Sequence, residues 1–565
     1  MRNLLATISA LTVSALALAA CNNTPANPPD AIYHNATIYT GVDGQLPATA
    51  VSVKDGRIVE VGAAEELLKS AGAATETIDL GGAFLYPGFT DAHAHLYGIG
   101  EREQTLDLDE VKSIAELVGI VGEAAKALPA GQPLVGRGWI ETHWPEKRFP
   151  TRQDIDAVAG DRPVVLVRAD GHAMVVNTAA LKAVGLDGKP ASQPSGGRIE
   201  VDAQGLPTGM LIDNAMAAVG ALEASPAEAQ IRETYAKGIA REVSLGWTGL
   251  HNMSVAGAHI ATLNAMDAAG EMKLRLYNAV DGGDFTLMTE GGLWGASRDG
   301  LVTTKAIKLY MDGALGSRGA LLSAPYSDQP ETTGLLRSNE TETLALLKKA
   351  YDANIQVCFH AIGDEGNKLV LDWMGKTFAD GAAADATVSG ADRRWRIEHS
   401  QILHVEDIPR FKALGVIPSM QPSHAIGDLY FAPARLGPDR LAGAYAWRAL
   451  IDAGSIIAGG SDAPVEQGDP RIEFYAAVAR KDLKGASGAD WHPEQAVSRE
   501  EALKMFTLWP AIASFRENDL GTIEAGKLAD FTGFSGDIMK LPEAEILTVT
   551  PAVTVVSGKV VYRAQ

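Results

Sequence analysis

Eight apolar runs of strand length recur along this chain, six of them ending in a polar or charged residue, with helical stretches between. The runs are Phe84 to His95, Gly246 to Met253, Leu274 to Val280, Ala306 to Asp312, Ile355 to His360, Trp395 to His399, Val416 to Gln421 and Ile456 to Asp462. Helical stretches between them include Ile114 to Leu128, Ile231 to Leu245, Glu342 to Ala353 and Asp439 to Ala453. Strands that alternate with helices build a parallel sheet, because each crossover must return over one of its faces. Eight such units predict an α/β fold, a (β/α)8 TIM barrel over residues 87–515. The interval of about 96–245 between the first and second runs is too long for a loop. It carries a strand-like Pro163 to Arg168 and a hairpin-like Gly197 to Met210, so an insertion is expected to cover one mouth of the barrel. Residues 31–86 and 516–565 are both strand-rich. Ala50 to Lys54 and Arg57 to Val61 flank the turn Asp55-Gly56. Ala529 to Phe531, Ile546 to Val549 and Val553 to Val561 read as strands at the other end. The two ends are expected to form one composite β-sandwich domain.

The N-terminus follows a different logic. Met1-Arg2 and the apolar run Leu4 to Ala20 read as a secretory signal peptide over 1–20. Leu18-Ala19-Ala20-Cys21 resembles a lipobox, in which Cys21 is lipidated after cleavage, and residues 21–30 form a Pro-rich tether. The alternative is a plain signal peptide with a chance cysteine. Either reading predicts export, to the periplasm or as a membrane-anchored lipoprotein whose lipid is its sole membrane contact. Lys plus Arg number 49 against 70 Asp plus Glu, a net charge of −21, which excludes a nucleic-acid partner. Cys21 and Cys358 are the only cysteines, so no disulfide framework supports the fold. A homodimer is the default assembly.

The chemistry lies in the residues that end the runs. Asp91-Ala92-His93-Ala94-His95 closes the first, Lys308 sits in the fourth, and His360, His399 and Asp462 close the fifth, sixth and eighth. Strand ends of a barrel converge on one site, and His93 and His95 share a face because side chains alternate with period two. A nest of imidazoles and a carboxylate without thiolate suits a divalent metal, zinc above all, with manganese, iron or nickel also compatible. Each residue has a plainer alternative. Lys308 can snorkel to the rim, Asp462 can cap a helix, and His251 and His259 read as hydrogen-bonded core residues.

At this point the chain resembles the amidohydrolase superfamily, in its YtcJ-like, N-substituted formamide deformylase-like branch (amidohydrolase family 3). The resemblance rests on Pro87 to His95, Gly136-Arg137-Gly138-Trp139, Asp170-Gly171-His172 and Lys308 to Arg318. It continues through His360 to Asp364, Ile397 to Gln401, Met420 to His424, Gly460 to Val465 and Gly521 to Phe531. It implies that His93, His95 and Asp462 bind a first metal, while His360 and His399 hold a second. Lys308 would bridge the two as N6-carboxylysine; unmodified, it is cationic and repels metal, and a one-ion site is the alternative. A metal-activated hydroxide, formed as the water pKa falls from 15.7 toward about 7, would attack the carbonyl. Asp462 is the catalytic proton carrier, and His172 is the candidate hydrogen-bond donor. Trp139 and His424 are candidate pocket walls, with core packing the alternative for Trp139. Arg318 either binds a substrate carboxylate or pairs with a structural acid.

The expected function is metal-dependent hydrolysis of a non-peptide carbon–nitrogen bond in a small amide, formamide-like or N-acyl. Alternatives are a dipeptidase or N-acyl-amino-acid hydrolase, and a lactone or ester hydrolase. A lipid-anchored binding or scaffold protein is the non-enzymatic alternative, although it predicts lost ligands and all six positions are present.

Overall fold

A computed structural model describes residues 27–564 except 129–131, 223–226, 291–294, 298–299, 385–388 and 489–490. The signal-peptide reading, the lipidation of Cys21 and the start of the tether fall outside the described residues. Eight parallel strands form the centre: β1 (Phe89–Ala94), β2 (Trp247–Val255), β3 (Arg275–Asp281), β4 (Val302–Tyr310), β5 (Gln356–Ala361), β6 (Arg396–His399), β7 (Ile417–Met420) and β8 (Ala458–Gly459). Neighbours in space are neighbours in sequence, as the alternating pattern predicts for a barrel.

The barrel closes just beyond β8, where the chain leaves the ladder to reach β1. The Asp462 N–H donates to the His93 carbonyl at 2.6 Å, and the His95 N–H donates to the Ala463 carbonyl at 2.7 Å. The Asp91 carboxylate accepts from the Ser461 N–H at 2.9 Å and from the Ser461 hydroxyl. Gly460 permits this approach, since a Cβ there would stand 2.4 Å from the His93 nitrogen. The run expected as one strand from Ile456 to Asp462 is therefore two ladder residues followed by a seam.

Two further boundaries differ from the sequence pattern for local reasons. The run Phe84 to His95 divides at Gly88, where a Cβ would meet Thr248 Oγ1 at 2.3 Å. Phe84–Pro87 pairs in another sheet, while β1 continues the barrel. The helix expected over Asp439 to Ala453 is a 3-10 turn, Pro438–Gly443, followed by a helix, Trp447–Asp452. Tyr445 separates them in the left-handed region at φ 49°.

The chain ends meet in one eight-stranded sheet. Phe84–Pro87 pairs parallel with Ala31–Ile38 and antiparallel with Phe531–Phe534, joining N- and C-terminal strands. Tyr33, Val53, Leu85, Phe531 and Val555 form its apolar core. Of Ile546 to Val549, read as a strand, Ile546 to Thr548 belong instead to a 3-10 stretch, Glu543–Thr548, and Val549 follows it in extended backbone. Between β1 and β2 lies a separate six-stranded sheet, from Leu106–Asp107 to Pro207–Asp213, with Trp139, Trp144, Ile155 and Leu166 in its core. Among the described residues no helix is long and apolar enough to cross a membrane.

Arg275 at the start of β3 ties the terminal sheet to the barrel. Its Nε and Nη2 donate to Asp530 at 2.9 and 3.1 Å, and both side chains are buried. Arg275→Met leaves Asp530 as a buried charge without its partner. The expected loss is about 3–5 kcal/mol, read as a lower denaturant midpoint. Replacing both residues, Arg275→Met with Asp530→Leu, should recover most of it; equal losses from the single and double variants would contradict this role.

Candidate metal centre

Strand alternation aims Asp91, His93 and His95 to one side, and β1 sends them into the mouth of the barrel. Asp91 is spent on the seam, whereas His93 on β1 and His95 just beyond its end face Asp462. Asp462 Oδ1 lies 3.4 Å from His93 Nε2 and 3.1 Å from His95 Nε2. On its other side Asp462 Oδ2 lies 3.6 Å from His424 Nε2 and 4.0 Å from His399 Nδ1. Two sets of ligand atoms, His93, His95, Asp462 and His399, His424, Asp462, each lie within 4.8 Å of one another. Asp462 belongs to both.

Lys308 from β4 is buried with its Nζ 3.1 Å from His93 Nε2. The His360 ring from β5 packs edge-on against His399, centroids 4.6 Å apart. His360 Nε2 lies 3.3 Å from Asp312 Oδ1 outside hydrogen-bond geometry, and neither it nor His424 Nε2 has a hydrogen-bond partner. His399 and Asp462 hold left-handed backbone at φ 76° and 62°, a local cost typical of residues fixed by their site.

Four of the imidazoles are held at their Nδ1 atoms. Glu398 Oε2 holds His93 Nδ1 at 2.6 Å, and the Met253 carbonyl faces His95 Nδ1 at 3.1 Å. The His399 Nδ1–H donates to Gln421 Oε1 at 2.9 Å, and the Gln401 amide donates to His424 Nδ1 at 2.9 Å. Partners of this kind fix the tautomer and aim of a metal-binding ring. Glu398 is itself balanced by the fully buried Arg396, whose Nε lies 2.8 Å from it. The sequence reading assigned no role to Glu398, Gln401 or Gln421. Arg396 and Glu398, two charges at alternate positions of one barrel strand, were the available signal.

Burial pushes His93, His360, His399 and His424 below the ordinary imidazole pKa, so each presents a neutral ring. Burial would raise Asp462, but the adjacent His93 and His95 hold it well below the usual carboxylate range. Burial also lowers Lys308, against the opposing pull of Glu398 and Asp462. Neutral nitrogens around one carboxylate are the donors a borderline divalent ion takes.

The inserted sheet supplies the roof. His172 Nδ1 pairs with Asp213 Oδ1 at 2.7 Å, and its ring lies 5.7 Å from that of His360. A cavity of about 270 Å³ opens over the centre, lined by Ile140, His172, Leu315, His424, Phe431 and Asp462. Trp139 does not reach it. Its ring is buried in the insertion with Nε1 donating to the Leu166 carbonyl at 2.9 Å, while Gly138 and Ile140 form the wall. Arg318 is likewise placed elsewhere, with Nε and Nη2 on Asp328 at 3.1 and 2.9 Å. His424 lies at the centre itself.

Comparison with known proteins agrees with this architecture. The amidohydrolase family matches residues 76–562. The Bacillus subtilis (strain 168) protein that bears the name amidohydrolase YtcJ is 34% identical over 546 residues, covering 94% of this chain and 99% of its own. N-substituted formamide deformylase of Arthrobacter pascens is 28% identical over 549 residues, with 94% and 98% covered. The crystal structure of an uncharacterized metal-dependent hydrolase from Pyrococcus horikoshii OT3 superposes with a TM-score of 0.74 at 26% identity, over 91% of this chain and 99% of that one. The chain belongs to the amidohydrolase family. It is a metal-dependent hydrolase acting on carbon–nitrogen bonds.

If Gln421 orients His399 for a metal, Gln421→Met should weaken metal retention by roughly 10–100-fold, measured by competition with a chelator. Unchanged retention would make Gln421 a packing residue only.

Proposed function

We propose that the chain hydrolyses a non-peptide amide, formamide-like or N-acyl, with one or two divalent ions, zinc foremost, held at the barrel mouth. The observation that carries this reading is Asp462, one buried carboxylate facing two pairs of imidazoles beside a cavity of small-molecule size. His93, His95 and Asp462 would hold one ion, and His360 and His399 a second with Lys308 between. The proximity of His424 to Asp462 adds a further nitrogen. When bound, such an ion supplies an acidified water and a Lewis acid for the scissile carbonyl.

The chain's own groups do the rest. Asp462, anionic in its setting, accepts a proton at its carboxylate and returns it to the departing amine. Burial lowers the His172 pKa, but hydrogen bonding to Asp213 more than offsets this, so the ring takes up a proton more readily than a free imidazole. In that protonated form its Nε2–H donates to the carbonyl oxygen as negative charge gathers there. Burial of Lys308 favours a neutral amine, which adds to carbon dioxide; an N–C bond forms, one proton leaves, and a carbamate results. That conversion replaces a group that repels cations with one that attracts them. The apolar side of the cavity, Ile140, Leu315 and Phe431, favours an amide carrying an apolar substituent. The relative named for deformylation of N-substituted formamides fits this class. Residues 1–20 and Cys21 would export the enzyme and fasten it by lipid to a membrane, where it can act as a homodimer.

The test is hydrolysis of a formamide, an N-acyl-amino acid and a dipeptide by chain lacking residues 1–21, and by its Lys308→Ala variant. Cleavage of a non-peptide amide, falling at least roughly a hundredfold with Lys308→Ala together with bound metal, is the expected result. Cleavage of the dipeptide alone, or full activity in Lys308→Ala, would overturn the reading.

A further inference from the structure

The centre is flanked by two cavities that meet at His172, His360, His399 and Asp462. One has an apolar side formed by Ile140, Leu315 and Phe431. The other, about 400 Å³, is lined by Arg137, His172, Lys308, Tyr310, Arg337 and Asp462. Its two guanidinium groups stand out because no carboxylate among the described residues forms an ion pair with either.

Arg137, from the inserted strand Leu134–Trp139, spends one hydrogen on the Ala169 carbonyl at 3.2 Å; its Nε is buried and unpartnered. The backbone arch Asp170-Gly171-His172 passes over it, and a Cβ on Gly171 would lie 3.1 Å from Arg137 Nη2. Arg337 lies 4.9 Å from the centroid of the Tyr310 ring and donates Nη2 to Asn214 Oδ1 at 2.8 Å; its Nε is also buried and unpartnered. Of the acids that face the same cavity, Asp170 pairs with Arg168, Asp462 lies among the imidazoles, and Asp213 holds His172 through Oδ1 while its buried Oδ2 has no hydrogen-bond partner; none of them forms an ion pair with Arg137 or Arg337. Guanidinium donors left without an anion in a partly buried wall are costly, and a planar carboxylate or phosphate is what their geometry fits.

We propose that Arg137 and Arg337 form a carboxylate subsite for the substrate. The substrate class is then an amide with an apolar group on one side and a carboxylate on the other, an N-acyl amino acid in its simplest form. This rests on the amide-hydrolase reading above, and it places carboxylate recognition here rather than at Arg318, which Asp328 already neutralises. An amide at Asp462 directs its apolar arm toward Phe431 and its carboxylate arm toward the arginines.

The test compares N-phenylacetylglycine with N-methylphenylacetamide, which differ by the carboxylate, as substrates of the metal-loaded enzyme. Wild type should favour the acid in kcat/KM by at least about tenfold. Arg137→Met and Arg337→Met should each raise KM for the acid roughly tenfold and draw the ratio toward one, and Arg137→Lys should retain part of it. Arg337 is partly exposed, so its variant remains informative if Arg137→Met fails to fold. A wild-type ratio near one, or variants that slow both substrates alike, would overturn the subsite and leave the amide reading standing. Calorimetry with 5-phenylpentanoate and 5-phenylpentanamide decides the matter without turnover. Should neither amide be cleaved, tighter binding of the acid that is lost in Arg337→Met upholds the subsite while the amide reading falls. Equal binding of acid and amide overturns the subsite.

Discussion

The negative charge of Asp462 sits where little water reaches it, and the barrel mouth is organised around its compensation. Isolated burial of a carboxylate costs several kcal/mol, and the groups around it, His93 and His95 on one side and His399 and His424 on the other, could hold a divalent cation that balances its charge. Those rings keep their aim because Glu398, the Met253 carbonyl, Gln421 and Gln401 hold their Nδ1 atoms. Left-handed backbone at His399 and Asp462 is part of the same arrangement. The seam itself depends on it: Asp462 leaves the β8 ladder to donate its N–H to the carbonyl of His93, the residue its side chain faces.

Fold class was legible because a barrel needs only a repeated local pattern, and eight apolar runs with helices between them carry it. The boundaries were not, because they depend on distant contacts. Nothing near Gly88 in sequence announces the Thr248 hydroxyl that forbids a side chain there, and nothing within Asp439 to Ala453 marks Tyr445 as left-handed. Ile546 to Val549 has the composition of a strand, yet all but Val549 lies in a 3-10 stretch.

The same division runs through the site. His93, His95, Lys308, His360, His399 and Asp462 were visible as polar ends of apolar runs, a one-dimensional signal. Their orienting partners were hidden because they come from other strands at a register that only the folded barrel sets. Gln421 reaches His399 across adjacent strand ends, and Asp213 reaches His172 across the inserted sheet. Trp139 and Arg318 show the converse. Their side-chain chemistry suited a pocket, but the Leu166 carbonyl and the Asp328 carboxylate occupy them. The insertion thus supplies His172 and the wall beside Trp139, while the terminal sheet braces the opposite side through Arg275 and Asp530.

The central claim is that Asp462 is the carboxylate on which metal and chemistry both depend. It is tested most directly by metal content and turnover of Asp462→Asn, beside wild type and with folding checked by circular dichroism. The account predicts a folded chain that has lost both bound metal and hydrolysis. A variant that keeps its full metal and its turnover would contradict it.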